Sequence, residues 1–190
     1  SKIWISNAPD ADVYTLFART TAGAGAKGVT AFVVEGGMKG LSGRPLEMIA
    51  PHALGTLELD GVRVPRSHVL GEVDGGFRVA MRTLDLFRPS VGAFAVGLAQ
   101  AALDASVRHA AERRQFGVPL REHQAVAHML ADMATAVEAA RLLVYRSAAV
   151  HDAGGRGTKA AAMAKVFATE AAQRVIDSAI QIHGARALEK

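Results

Sequence analysis

The feature that most constrains this chain is a change of hydrophobic period part-way along it. Between residues 124 and 147, Val126, Leu130, Met133, Val137, Ala140 and Val144 recur at spacings of 4, 3, 4, 3 and 4, with His128, Asp132, Glu138 and Arg146 kept largely off that line. Such spacing puts one apolar stripe along a helix. Between 158 and 183, Met163, Phe167, Ala171, Val175, Ala179 and Ile182 trace a second stripe, and DAGGRG separates the two as a breaker.

The first third of the chain has a different rhythm. KIWIS, DVYTLFART and GVTAFVVEG are short runs rich in β-branched and aromatic residues, and TTAGAGAK joins the last two as a hairpin connection. In LGTLELDGVRVP, Leu57 and Leu59 alternate with Glu58 and Asp60, and Asp60-Gly61 predicts a tight turn into a strand through Val62 and Val64. Pro65 is expected to end the sheet region. GGFRVAMRTLDLF then reads as a short helix. RPSVGAFAVGLAQAALDASVRHAAERR reads as a further one, with Pro89 in its first turn, where a missing N–H costs little. Its small residues Ala93, Ala95, Gly97, Ala99 and Ala101 would let neighbouring helices come close.

Together these patterns predict an α+β multidomain chain: a small β domain over residues 1–72, followed over 73–190 by an up-and-down helical bundle. A chain of 190 residues, half of them hydrophobic and 21% charged, suits a globular protein with a large core. No run of about 20 apolar residues suggests a membrane span, and no charged segment followed by an apolar one opens the chain. A cytoplasmic location is the expectation. The absence of Cys excludes disulfides, thiolate metal sites and Cys nucleophiles. The net charge of +4 is spread over mixed-sign helices, which gives little support to nucleic acid as a partner.

Several apparent motifs fail on their own chemistry. GAGAKGVT lacks the Ser or Thr that follows Lys in a phosphate loop, since Lys27 precedes Gly28 and a strand. His123 and His128 are five apart, not the four that place two imidazoles on one helical face for zinc. No G-x-S-x-G elbow supports a serine hydrolase.

Three stretches carry more. ERRQFGVPLREHQ joins two long helices and gathers Arg113, Arg114 and Gln115 near His123 and Gln124. Basic residues in a last helical turn complement the helix dipole, while guanidinium groups beside free helix N–H groups make a diphosphate site. In WIS, the chain's one Trp lies two residues from Ser6 on an alternating strand, so both side chains are expected on one face; a buried Trp with a satisfied partner is the ordinary alternative. In DLFRPS, Asp85 and Arg88 precede the expected helix start as local caps, an ion pair or a binding pair.

Taken in order, WIS, VRVP, GFRVAM, DLFRP, AERRQFG, EHQ, AAMAK and QIHG resemble the acyl-CoA dehydrogenase family over essentially the whole chain. The resemblance implies a β-barrel-like middle domain followed by a four-helix bundle, without the family's N-terminal helical domain. It also implies FAD between the two, the adenosine diphosphate end completed by a neighbouring subunit of a homodimer or homotetramer.

Carried over by position, Trp4, Ile5 and Ser6 would face the flavin, Trp4 packing on the isoalloxazine and Ser6 bonding near N5. Arg113, Gln115, Phe116, His123 and Gln124 would meet the partner's FAD, and Gln181, His183, Gly184 and Ala185 would approach the cofactor from the last helix. Asp85 and Arg88 would hold the CoA portion of the substrate. The implied reaction is α,β-dehydrogenation of an acyl-CoA thioester in fatty acid metabolism. A carboxylate takes the α proton, the β hydride moves to flavin, and the electrons pass to an electron-transferring flavoprotein.

Departures from the family pattern shape these expectations. One family position for the base, immediately before the Arg of D-x-x-R, holds Phe87, so no catalytic residue is assigned within the chain and the base Glu is expected beyond Lys190. APHALG replaces the usual R-x-S-D-like stretch, and Gly184-Ala185 replaces a glycine pair. The chain therefore reads as an incomplete piece of the enzyme. Alternatives are a flavin oxidase or monooxygenase on the same fold, or a non-catalytic member that binds a partner or DNA.

Overall fold

The computed structural model describes residues 1–49 and 52–189. Ala50 and Pro51, the first two residues of APHALG, and Lys190 lie outside the described residues. The chain divides into two compact units, Ser1–Arg82 and Thr83–Lys190.

The first unit holds two three-stranded antiparallel sheets, and no closed barrel forms among the described residues. One sheet orders β1 (Lys2–Ser6), β5 (Leu54–Leu59) and β4 (Leu41–Pro45) with β5 in the middle; the other orders β2 (Val13–Arg19), β3 (Val29–Glu35) and β6 (Val69–Leu70) with β3 in the middle. The β2–β3 hairpin pairs in unbroken register from Val13↔Glu35 to Arg19↔Val29 across the expected connection. Alternation drives the core: Tyr14, Val34 and Leu57 are buried with Ala8, flanked by Leu16, Phe32 and Val64.

Two strand expectations are corrected. The residues after Asp60-Gly61 form no strand, because both edges of β5 are already occupied, by β1 and by β4. Val64 instead packs its side chain onto the core. Pro65 does not end the sheet either, since β6 follows it and pairs Leu70 with Ala31.

Helix α1 (Gly76–Glu112) runs through Pro89 without interruption, where two helices were expected. Proline removes one helical hydrogen bond and costs about 3 kcal/mol in a helix interior. Here the carbonyl it leaves unpaired by the helix belongs to Asp85, whose side chain is tied both to the next turn and to another helix, which holds the segment helical. α1 contains an 18-residue window of mean hydropathy 1.4, which makes it long and apolar enough to cross a membrane by length and composition, contrary to expectation. A third of that window is buried, with Ala95, Val96, Ala99 and Leu103 in the bundle core, while Val91, Phe94, Leu98 and Val107 are exposed.

Helices α2 (Gln124–Asp152) and α3 (Thr158–His183) fold back on each other across the breaker, giving three long helices among the described residues where four helices were expected. The α2 stripe is as expected, with Met133, Val137, Ala140 and Val144 buried and Val126 and Leu130 packed beside them. On α3 the buried line instead follows Ala161, Ala164, Ala168, Ala171, Val175, Ala179 and Ile182, leaving Met163 at its margin. Alanine on this face lets backbones approach. Gly92 on α1 does the same, since a Cβ there would lie 3.0 Å from Val144 Cγ2 and 3.3 Å from the Ala164 carbonyl oxygen. Of the five small residues expected to mediate contact on α1, only Ala95 and Ala99 are buried.

Candidate functional site

Strand β1 does not carry Trp4 and Ser6 by simple alternation. Its register with β5 shifts between Lys2 and Ile5, and Trp4 at the irregularity has φ +62°, a backbone region uncommon for a bulky residue. Trp4 is 61% exposed, so the alternative of a buried, satisfied indole does not hold. Ser6 is also exposed, and Ile5 packs on the core between them. The Ser6 hydroxyl lies 3.3 Å from His52 Nε2, and Asn7 N–H donates to the Ala53 carbonyl at 2.8 Å. The described part of APHALG is thereby fastened to the end of β1.

The connection between α1 and α2 is a small β-hairpin rather than a last helical turn. β7 (Arg114–Gln115) pairs with β8 (Val118–Pro119), and both tip residues, Phe116 (φ +52°) and Gly117 (φ +85°), take positive φ, as a tight hairpin turn requires. Arg114 Nη2 donates to the Gly117 carbonyl at 2.8 Å and closes the turn. Phe116 is held almost wholly in solvent, 95% exposed, its ring edge-on to His123 with centroids 6.0 Å apart.

His123 precedes α2, and its carbonyl accepts from the N–H groups of Val126 and Ala127. Its Nε2 lies 3.3 Å from the Gln115 carbonyl; a carbonyl only accepts, so the proton sits on Nε2. Gln115, Phe116 and His123 are thus brought together, with exposed Gln124 following in the chain.

Arg113 faces the other side of the assignment. It lines an open, polar cavity of about 490 Å³ with His109, His183, Ala185, Arg186 and Glu189. α3 ends at His183, where Gly184 takes φ +60° and a 3-10 turn (Gly184–Leu188) begins. Of the four residues expected to reach a cofactor from this helix end, His183 and Ala185 line the cavity; Gln181 is exposed outside it and Gly184 forms the turn.

His109 was not among the candidates. It stacks on His183 with ring centroids 4.5 Å apart and planes 21° from parallel. The signal available in the sequence was its position four residues before Arg113, on the same helical face. Desolvation holds the His109 imidazole below its ordinary value of 6.5, with His183, Arg186 and Arg113 acting in the same direction and Glu112 opposing.

Asp85 and Arg88 sit inside α1, not ahead of it. Arg88 Nη1 lies 3.3 Å from Asp85 Oδ1, and Asp85 Oδ2 accepts from the Thr158 hydroxyl at 2.5 Å. Asp85 also borders a cavity of about 170 Å³ with Pro89, Ser147, His151 and Gly157. At 1.5 Å per residue, Asp85 and His109 are about 36 Å apart along one helix, so the two cavities are separate. Phe87 is 57% exposed on the same helix.

Comparisons with known proteins agree in both units. A model of the acyl-CoA dehydrogenase middle domain matches residues 1–62, and one of the acyl-CoA dehydrogenase C-terminal domain matches 74–190. Cyclohexane-1-carbonyl-CoA dehydrogenase of Geobacter metallireducens is 43% identical over 187 residues, which cover 97% of this chain and 49% of that protein. A subunit of the caffeyl-CoA reductase-Etf complex of Acetobacterium woodii is 41% identical over 187 residues, 96% of this chain and 49% of that protein. The structure of butyryl-CoA dehydrogenase from Megasphaera elsdenii matches with a TM-score of 0.92 at 39% identity, over 98% of this chain and 50% of that one. The chain spans about half the length of the relatives it matches. It belongs to the acyl-CoA dehydrogenase family.

Proposed function

We propose that this chain contributes the middle and C-terminal parts of a FAD-dependent acyl-CoA dehydrogenase, which removes the α proton and β hydride of an acyl-CoA thioester. The observation that carries this reading is the convergence of Arg113, His183 and Ala185, three residues aligned with cofactor positions in the family, on one polar cavity.

The residues present fit the cofactor. A diphosphate needs several donors at once, and Arg113 and Arg186 provide guanidinium groups on the cavity wall. A flavin ring needs a flat apolar surface and a hydrogen-bonding group beside it. Trp4 and Ser6 are both exposed on β1, and the Ser6 hydroxyl is steered by His52. Bound FAD supplies the hydride acceptor. Arg113, Gln115, Phe116, His123 and Gln124 would meet the FAD of a second copy of the chain in a homodimer or homotetramer. Asp85 and Arg88 would hold the CoA portion. Phe87 occupies the one family base position within the chain and has no proton to exchange, so the base is assigned beyond Lys190. Electrons would leave to an electron-transferring flavoprotein, in keeping with the Etf-associated relative, and the cytoplasm is the proposed location.

The test is reconstitution of the enzyme containing this chain with FAD, followed by dye reduction with a panel of acyl-CoA thioesters. Flavin absorbance with acyl-CoA-dependent dye reduction is the expected result; neither signal with any member of the panel would overturn the reading. Rapid oxygen consumption in place of dye reduction would reassign the enzyme as an oxidase.

A further inference from the structure

The cavity between the C-terminal ends of α1 and α3 has an unusual charge balance. Arg113 and Arg186 line it, but so does Glu189, and Glu112 adjoins it on α1. Two fixed positive charges against two carboxylates leave no net charge, and the two helix C-termini add partial negative charge. Arg113 and Arg186 still offer donors, and the group that can add positive charge is His109, stacked on His183. The His183 Nδ1 lies 2.8 Å from the Ala179 carbonyl, which only accepts, so the proton is on Nδ1 and Nε2 is the basic atom. The His183 ring stacks on His109 with centroids 4.5 Å apart, and desolvation, with His183, Arg186 and Arg113 acting the same way, makes the His109 imidazole resist protonation.

We propose that His109 is a proton-linked binding residue and that this cavity takes up a diphosphate group together with a proton on the His109–His183 pair. The inference rests on the reading of this cavity as a cofactor site, and it adds that occupancy depends on pH through His109, a residue to which the resemblance gave no role. A diphosphate placed against the stack favours the imidazolium form, so the pair binds protons more tightly when the anion is present. Affinity then rises as pH falls through the interval between the proton affinities of the liganded and free pair, roughly tenfold for each pH unit separating them.

The experiment is a pH titration of the histidine Cε1–H resonances of the 190-residue chain by NMR, alone and with ADP-ribose, whose diphosphate exchanges no proton in this range. Calorimetric affinities are measured at pH 5.5 and 8.0, and coenzyme A forms a second arm. The expected result is an upward shift of the His109 midpoint on adding ADP-ribose, with at least a fivefold gain in affinity at the lower pH. His109→Phe keeps a stacking ring and should bind with little pH dependence, and His109→Gln should do the same without an aromatic ring.

An effect with ADP-ribose identifies the FAD half as the anion's source; a larger one with coenzyme A identifies the substrate. An unchanged His109 midpoint with both overturns the inference. If FAD loads with pH-independent affinity while the midpoint stays fixed, the inference falls and the dehydrogenase reading stands. If ADP-ribose shifts the midpoint but FAD never loads, the dehydrogenase reading falls and the anion site stands.

Discussion

The Asp85 carboxylate, in the third turn of α1, accepts a hydrogen bond from the hydroxyl of Thr158, the first residue of α3, 73 positions later. Its other oxygen meets Arg88. One partly buried side chain thus ties two helices, at a position proposed above to hold the CoA portion of the substrate. Thr158→Val should destabilise the Thr83–Lys190 unit by about 1–2 kcal/mol, because it leaves an acceptor of Asp85 without its donor. Thr158→Ser should restore most of that loss. Urea denaturation followed by circular dichroism checks both; equal midpoints for the valine variant and the parent would show that the bond adds nothing to stability.

Two glycines on α1 should respond in opposite directions to alanine. A Cβ on Gly76 would lie 2.6 Å from the Ala31 nitrogen and 2.6 Å from the Thr30 carbonyl carbon, backbone atoms of β3 that cannot rotate away. Gly76→Ala should therefore destabilise the chain by about 1–3 kcal/mol despite alanine's better helix propensity. Gly97 meets nothing within 4 Å on an exposed part of the same helix, and Gly97→Ala should stabilise by about 0.5–1 kcal/mol. Thermal melts of the two variants against the parent settle the sign of each.

How far the sequence could be read depended on whether local pattern or distant packing decided each element. The β2–β3 hairpin and the α2 stripe were legible because alternation and helical spacing both describe a single buried face. The continuity of α1 was not, because Pro89 is a strong local signal for a helix start, and the contacts holding the turn around it include one with Thr158. Nor was the absence of a strand at Val62–Val64, since the Asp60-Gly61 turn is locally sound and β4, a weakly patterned strand reading LSGRP, takes the pairing edge. At the site, the alternation argument for Trp4 and Ser6 missed the register shift that exposes the indole. His109 escaped notice because its partner His183 lies at the end of a different helix.

Acid stability of the first unit should depend on Asp74. Thr20 and Thr21 donate hydrogen bonds to its carboxylate, and its own N–H donates to the buried Thr30 hydroxyl at 2.7 Å. Those two threonine bonds, Thr20 first, hold the carboxyl below its ordinary value of 3.8, with desolvation opposing. A folded-state value below the unfolded one means the contribution is fully present above 3.8 and is lost as pH falls from there through the folded value. Asp74→Asn tolerates the same positive φ and cannot titrate, so its stability should fall less steeply below pH 4 than that of the parent. Denaturation midpoints between pH 2.5 and 7 make the comparison; parallel curves would exclude a role for this carboxyl.

The chain has a single Trp, and its exposure makes the flavin assignment directly visible. Trp4 is 61% exposed at the irregular point of β1, so its fluorescence without cofactor should be red-shifted and quenched by iodide. If the indole packs against the flavin, FAD should quench that emission and protect what remains from iodide, while ADP-ribose, which lacks the ring system, should do neither. Trp4→Phe removes the signal and should weaken FAD binding roughly tenfold, as the loss of about 1.4 kcal/mol of aromatic packing implies. Ser6→Ala, by contrast, should leave the quenching intact, because it removes a hydroxyl and not the stacking surface. Equal iodide quenching with and without bound FAD would place the flavin elsewhere on the protein and break the assignment of β1 to the cofactor.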